Sequence, residues 1–256
     1  MLRVTVCELP DGAAELEPAW AGLVQHVRAE AADLVVLPEA PFDPWLAEVP
    51  AFDPDRWRQA VVAHQRWLPR LADLAPSVVL ATRPVERGGR RVNEGFCWSA
   101  EAGYRAVHEK AVLPAEPGCW ETVWFDRGDG EFRPADAGPA TVGLLVCSEL
   151  WFFERARAYG RAGAALLVTP RATSGEWPDR WLLAGQMAAV VGGAFSVSSN
   201  RVDPADPARF AGRGWVVDPE GRVLGETCAA TPYRTFGLDM DQVTRARASY
   251  PRTLVG

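Results

Sequence analysis

Hydrophobic and polar positions along the chain alternate between two periods. Residues 3–8 read as a strand, and 15–32 place apolar side chains at helical spacing. The run DLVVL at 33–37 is continuously apolar, as in a strand buried on both faces. Asp53 and Pro54 open a helix over 53–74, an N-cap followed by proline in the first turn. A strand follows at 77–81. RVNEGFCWS and YRAVHEK then predict a hairpin over 92–110, turning at 100–103. A proline- and glycine-rich loop occupies 113–140. Beyond it the pattern predicts strand 141–147, helix 149–162, strand 164–169, helix 178–191 and strand 194–199. A second hairpin, GWVVDPEGRVLGE, turns at 218–221, and a short helix is expected at 240–248. No linker or repeat interrupts this order, so one domain is expected over 1–256. Alternating helices and strands imply an α/β fold, its sheets covered by helices on their outer faces.

Composition narrows the function classes. The chain has 256 residues, 48% of them hydrophobic, enough for a substantial core. A net charge of −6 and the lack of a basic stripe argue against a nucleic-acid partner. The N-terminal residues lack the apolar region of a signal peptide, and no apolar run approaches the roughly 18 residues of a membrane span. Five widely spaced cysteines form neither a disulfide framework nor a zinc ribbon, which fits a reducing cytoplasm. Lys110 is the only lysine; every other Lys/Arg position is arginine. A lysine standing alone in such a chain points to a site where the broad, planar guanidinium fails and a compact ammonium serves.

Three polar residues sit at the ends of apolar runs. Glu39 follows LVVLP, Lys110 ends YRAVHEK and Cys147 ends TVGLLV before a predicted helix. Strand ends are where layered α/β folds gather catalytic groups, since the scaffold is rigid there and the loops open outward. A cysteine before a helix also faces the positive end of the helix dipole, which is expected to favour thiolate. Each residue alone has a plainer explanation: a small core thiol, a surface cap, a solvated lysine.

VVLPEAPF around Glu39, VHEKAVLPAE around Lys110 and GLLVCSELWFFE around Cys147 resemble the three signature blocks of the nitrilase, or carbon–nitrogen hydrolase, superfamily, in the same order. AAVVGGAFSVSSNRV and GRGWVVDPEGRVLGE are similar to its late helix–strand and hairpin, so the resemblance covers nearly the whole chain. One departure is Phe153-Glu154, where many members have proline then glutamate; another residue, Ser148, falls at a variable position. The resemblance implies a four-layer α-β-β-α sandwich of the nitrilase type, usually paired into a homodimer or higher homo-oligomer. It implies Cys147 as nucleophile, Glu39 as general base, and Lys110 with the Ser148 backbone N–H as oxyanion partners. It also implies a second glutamate between lysine and cysteine. Glu116 and Glu121 are the candidates, with Glu116 preferred because the family more often places this residue close after the lysine segment.

The chemistry so implied is hydrolysis of a non-peptide carbon–nitrogen bond in a small amide or N-carbamoyl compound through a Cys147 thioester. It requires no metal and no organic cofactor. Acyl transfer from the same thioester, nitrile hydrolysis and a non-catalytic binding role are the alternatives, as is a Cys–His dyad using His108 rather than His26 or His64. Arg171, in LLVTPRATS, is a candidate for a substrate carboxylate or for a structural ion pair. Trp151, with Trp120 and Trp177, is a candidate pocket wall or ordinary core.

Overall fold

The computed structural model describes residues 1–254. In chain order its elements are β1 (Leu2–Pro10), α1 (Ala13–Ala29), β2 (Leu34–Val36), α2 (Pro54–Trp67), β3 (Val78–Arg87), β4 (Arg90–Ser99) and β5 (Gly103–Glu109). Then come α3 (Glu121–Trp124), β6 (Ala135–Asp136), β7 (Thr141–Leu144), α4 (Phe153–Arg161), β8 (Leu166–Arg171) and α5 (Pro178–Gly192). The chain continues through β9 (Phe195–Val202), β10 (Trp215–Val217), β11 (Val223–Glu226), β12 (Tyr233–Leu238) and α6 (Asp241–Arg247). This is a mixed α/β fold. None of the described helices is long and apolar enough to cross a membrane.

The strands run in the order β5-β4-β3-β2-β1-β9-β8-β7-β6. β1 is where two sheets meet. Its residues Leu2–Cys7 pair antiparallel with β12, and Val4–Val6 pair parallel with β2. Its last three residues, Glu8–Pro10, pair with the end of β9 instead. One apolar cluster takes alternate residues from both sheets, Val4, Val36 and Leu80 from one and Leu144, Val168 and Val197 from the other. The opposite residues of each sheet pack under helices: Cys7, Val35 and Val79 with α1 residues Leu16, Trp20 and Leu23, and Leu167 and Trp215 with α5 residues Ala184, Ala188 and Ala189. This division follows the period of two that sends successive strand residues to opposite faces.

Several boundaries differ from the pattern-based reading. The predicted helix 53–74 is α-helical to Trp67 and then tightens into a 3-10 turn over Leu68–Leu74. Pro69, lacking an N–H, accounts for the change. β3 runs six residues past the predicted 77–81, through Pro84, in a hairpin with β4 that turns at Gly88 and Gly89. β12 was not anticipated. Its charged and hydroxyl side chains hide a strand whose backbone is paired along β1. The predicted 113–140 loop holds α3 and β6.

Candidate active site

The parallel strands β2, β7, β8 and β9 end on one side of the molecule, and their ends carry the polar cluster. Glu39 lies three residues beyond β2. Its N–H donates to Arg171 O (3.1 Å), and its carbonyl accepts from Arg201 Nε (2.9 Å). The next residue, Ala40, has φ +41 and donates its N–H to Thr82 Oγ1 (2.8 Å). Arg201, buried and ion-paired with Asp11, thus clamps the turn that carries Glu39.

Lys110 follows β5. Its N–H donates to Asn93 O (2.9 Å), and its carbonyl accepts from Gly128 N (2.9 Å). That approach needs glycine, because a Cβ at Gly128 would overlap the Glu109 backbone. The ammonium, fully buried, donates to Glu39 Oε1 (2.7 Å) and to Glu121 Oε1 (2.6 Å). An ammonium has three N–H groups, so one remains after these two bonds. Burial alone would lower the lysine pKa. The facing carboxylates of Glu121 and Glu39 outweigh it and hold Lys110 well above the ordinary lysine range. Asn93, unremarked in the sequence, serves both partners: its Nδ2 donates to Glu39 Oε1 (2.7 Å) while its carbonyl holds the Lys110 backbone. The signal was a lone amide inside the strand RVNEGFCWS, at a position the structure buries completely.

Glu121, not Glu116, is the second glutamate at the lysine, reversing the preference drawn from the family's usual placement. Glu116 and Cys119 exchange backbone hydrogen bonds (3.2 and 2.8 Å) in a tight turn, which leaves Glu116 exposed. The chain then enters α3, whose first residue is Glu121, fully buried. Burial, opposed by Lys110 and supported by Glu39, raises the Glu121 carboxyl to about 7. Cys119 Sγ donates to the same Glu121 oxygen (3.5 Å).

Cys147 stands at a sharp turn. Its φ is +49, a left-handed conformation that a non-glycine residue rarely adopts. It opens a 3-10 turn over Cys147–Trp151, and the α-helix begins only at Phe153. The α-helix expected to start at the thiol thus begins six residues beyond it, so the expected dipole effect is not set up by α4. Burial first, and then Glu39, raise the thiol pKa, against the opposing pull of Lys110. The resting group is a neutral thiol. Glu39 Oε2 and Glu121 Oε2 are buried and make no hydrogen bond within the described residues.

A third carboxylate joins the lysine and cysteine segments. Glu149 Oε1 accepts the Ala111 N–H (2.7 Å), and its Oε2 accepts the Val146 N–H (2.8 Å) and a bond from His108 Nε2 (2.8 Å). His108 is thus engaged with Glu149 rather than with the thiol, which removes the Cys–His alternative. His26 bonds Thr235 and His64 bonds the backbone of Ala60 and Phe42, away from this cluster.

Cys147 and Ser148 lie on the wall of a pocket of about 830 Å³. Ser148 Oγ donates to Val112 O (2.6 Å). Trp151 and Trp177 line the same pocket, 43% and 45% exposed, the former tilted against Trp181 at 5.0 Å. Trp120 does not line it; its N–H bonds Ala47 O (2.7 Å). Arg171 does not line it either, which corrects the carboxylate-binding assignment. Its guanidinium is buried, donating to Ser198 Oγ (2.8 Å), Thr173 Oγ1 (2.8 Å) and Arg213 O (2.6 Å) over the face of Trp215. Burial pulls its pKa down to about 9. Two other arginines border the pocket. Arg209 is taken up by Asp11, Glu48 and Asp203. Arg180 lies over Trp177, its Cζ 3.7 Å from the ring centroid, with no ion pair to the described residues.

Comparison with known proteins places the chain among carbon-nitrogen hydrolases. A stretch of 152 residues is 28% identical to N-carbamoylputrescine amidase of Arabidopsis thaliana, covering 52% of this chain and 51% of that protein. The chain thus spans about half the length of that curated relative. A longer match, 24% identical over 246 residues, covers 86% of the chain and 76% of the 2-oxoglutaramate amidase of Paenarthrobacter nicotinovorans. The crystal structure of a carbon-nitrogen hydrolase from Helicobacter pylori G27 shares the fold, with a TM-score of 0.83, 21% identity, and coverage of 98% of this chain and 94% of that one. The family model for carbon-nitrogen hydrolases matches residues 3–248. With its glutamate, lysine and cysteine gathered at the strand ends, the chain belongs to the carbon-nitrogen hydrolase family.

Proposed function

We propose that the protein hydrolyses a non-peptide carbon–nitrogen bond, in a small amide or an N-carbamoyl compound, through a thioester on Cys147. The observation that carries this reading is the Lys110 ammonium fixed between Glu39 and Glu121, one N–H uncommitted, beside a thiol that borders an open pocket.

The steps follow from the groups present. The resting thiol is neutral, so its proton leaves as the sulfur attacks the carbonyl carbon. Glu39 takes it on Oε2, the oxygen not already bonded to Lys110 and Asn93. The carbonyl oxygen gains charge and is held by the free Lys110 N–H and the Ser148 backbone N–H. Collapse breaks the C–N bond; Glu39 returns the proton to the nitrogen, and ammonia or an amine leaves. Water then attacks the thioester. Glu39 takes the water proton, the acid departs and the thiol is restored. Glu121 orients the ammonium throughout. The α-β-β-α sandwich is the layering that the division of the apolar clusters supports. A single domain, cytoplasmic location and pairing of subunits belong to the same reading. Exposed Phe152, Leu183 and Met187 around α4 and α5 provide apolar surface for such pairing.

The test is a panel of primary amides, N-carbamoyl amines and nitriles, read by ammonia release and by denaturing mass spectrometry. The expected result is an acyl adduct on Cys147 with the amides or carbamoyl compounds. Turnover that persists in Cys147→Ala would overturn the reading.

A further inference from the structure

The catalytic reading uses Glu39, Lys110, Glu121 and Cys147 and leaves several buried carboxylates without a part in it, of which Glu149 bonds the segments next to both the lysine and the cysteine. Glu149 has no solvent exposure. A carboxylate in such a place is costly unless its oxygens are satisfied, and here they are satisfied in one pattern. Oε1 takes the N–H of Ala111, the residue after the lysine. Oε2 takes the N–H of Val146, the residue before the cysteine. The lysine sits beyond β5 and the cysteine beyond β7, strands at separate places in the sheet order. One carboxylate therefore spans the gap between the segments carrying the cation and the nucleophile.

Two further observations mark this as positioning rather than generic core. Cys147 holds φ +49, a costly conformation for a non-glycine residue that persists only when its surroundings over-determine it. The Val146–Glu149 bond closes the turn on that strained residue from within, Val146 N–H meeting the Glu149 side chain and Glu149 N–H meeting Val146 O (3.1 Å). His108, two residues before Lys110 on β5, completes the arrangement with its Nε2 bond to Glu149 Oε2. The ring leans on Phe132 (centroids 5.1 Å apart), and its Nδ1 is buried without a partner. Nδ1 is left unsatisfied while Nε2 is spent on the carboxylate.

We propose that Glu149, held by His108, is a positioning residue that fixes the nucleophile turn against the lysine strand and so sets the rate of the chemical step rather than substrate affinity. Glu149→Gln keeps the shape but turns an NH₂ toward a backbone N–H, breaking the span at one end. His108→Ala removes the donor. His108→Gln returns an amide N–H close to where Nε2 stood.

Turnover assays rest on the hydrolase reading, so a second readout that needs no substrate accompanies them: the rate of Cys147 alkylation by iodoacetamide, located by peptide mass spectrometry. In Glu149→Gln, kcat is expected to fall about 100-fold, the scale of an ångström-level misplacement, with KM within about 3-fold and alkylation slowed in parallel. His108→Ala should lose about 10-fold in both rates, with His108→Gln restoring them to within about 3-fold. A folded Glu149→Gln protein with kcat and alkylation within about 3-fold of the parent overturns the proposal. If Glu149→Gln does not fold, as judged by its thermal transition, the histidine pair decides, and equal loss in Ala and Gln variants overturns it. If no amide is turned over by the parent protein, the hydrolase reading fails while the alkylation rates still decide the positioning role.

Discussion

The buried polar floor behind Cys147 and the mouth of the pocket are built on opposite plans. On that floor, set behind the pocket lining, Glu39, Asn93, Lys110, Glu121 and Glu149 have no solvent exposure, and their hydrogen bonds tie them to one another and to the backbone. At the mouth stand half-exposed tryptophans and Arg180, held by stacking and contact rather than by directed bonds. Low dielectric strengthens each floor interaction and makes each loss costly, whereas an exposed group at the mouth has water as a substitute partner. A change on the floor should therefore alter the reaction, and a change at the mouth should alter which substrate enters it.

That contrast can be broken at several depths. Cys147→Ala should lose at least about 1,000-fold in ammonia release, since no other group supplies the thioester; the released ammonia is the measurement. Lys110→Arg comes next. A fork-shaped guanidinium between two carboxylates misdirects the third donor, and removal of one oxyanion donor costs about 100-fold in kcat. Steady-state kinetics on a folded variant check this, and full activity there would remove the lysine from the oxyanion role.

Glu121→Gln should cost about 10-fold in kcat and also change the response to pH. The Glu121 carboxyl is raised from its usual 4.5 to about 7, so folding favours its neutral form. Its contribution to stability is full below the unfolded value and is lost as pH rises through about 7. The midpoint of chemical denaturation should fall with pH across that window in the parent and fall less in Glu121→Gln, together with a flatter rate profile near pH 7. Because Glu121 bonds the Lys110 ammonium and faces the Glu39 carboxylate, the limb belongs to the cluster rather than to one residue. The smallest effect belongs to the mouth. Arg180→Met should raise KM about 10-fold for amides bearing a carboxylate and leave neutral amides and kcat unchanged, about 1.4 kcal/mol of binding. A matched pair of substrates reads this directly, and an equal rise for both would place Arg180 outside substrate recognition.

Glu39, Lys110 and Cys147 were legible in the sequence, as were Trp151 and Trp177 on the pocket wall; Asn93, Glu149 and Arg180 were not. Glu39, Lys110 and Cys147 announce themselves because each ends an apolar strand run, where periodicity is strong. Glu121 lies in a segment without periodicity. The family's usual placement favoured Glu116, but the Glu116–Cys119 turn reverses the chain and leaves Glu121 to begin the helix facing the lysine. Arg171 looked like a pocket residue at a strand end, yet β8 is buried along its whole length and the side chain is consumed by Ser198, Thr173 and Arg213. The turn strain at Cys147, which replaced the expected helix dipole, has no signature in composition at all.

The solitary lysine has a practical consequence. Its amine is sealed inside the molecule, so acylating reagents that modify lysines meet none on the folded surface of residues 1–254. Covalent tagging at position 110 then becomes a clock for opening of the interior. Activated esters also acylate an exposed α-amine, so the shift is located by peptide mass mapping; at Lys110 it should appear only as the protein unfolds, reporting loss of structure without any dye or introduced label.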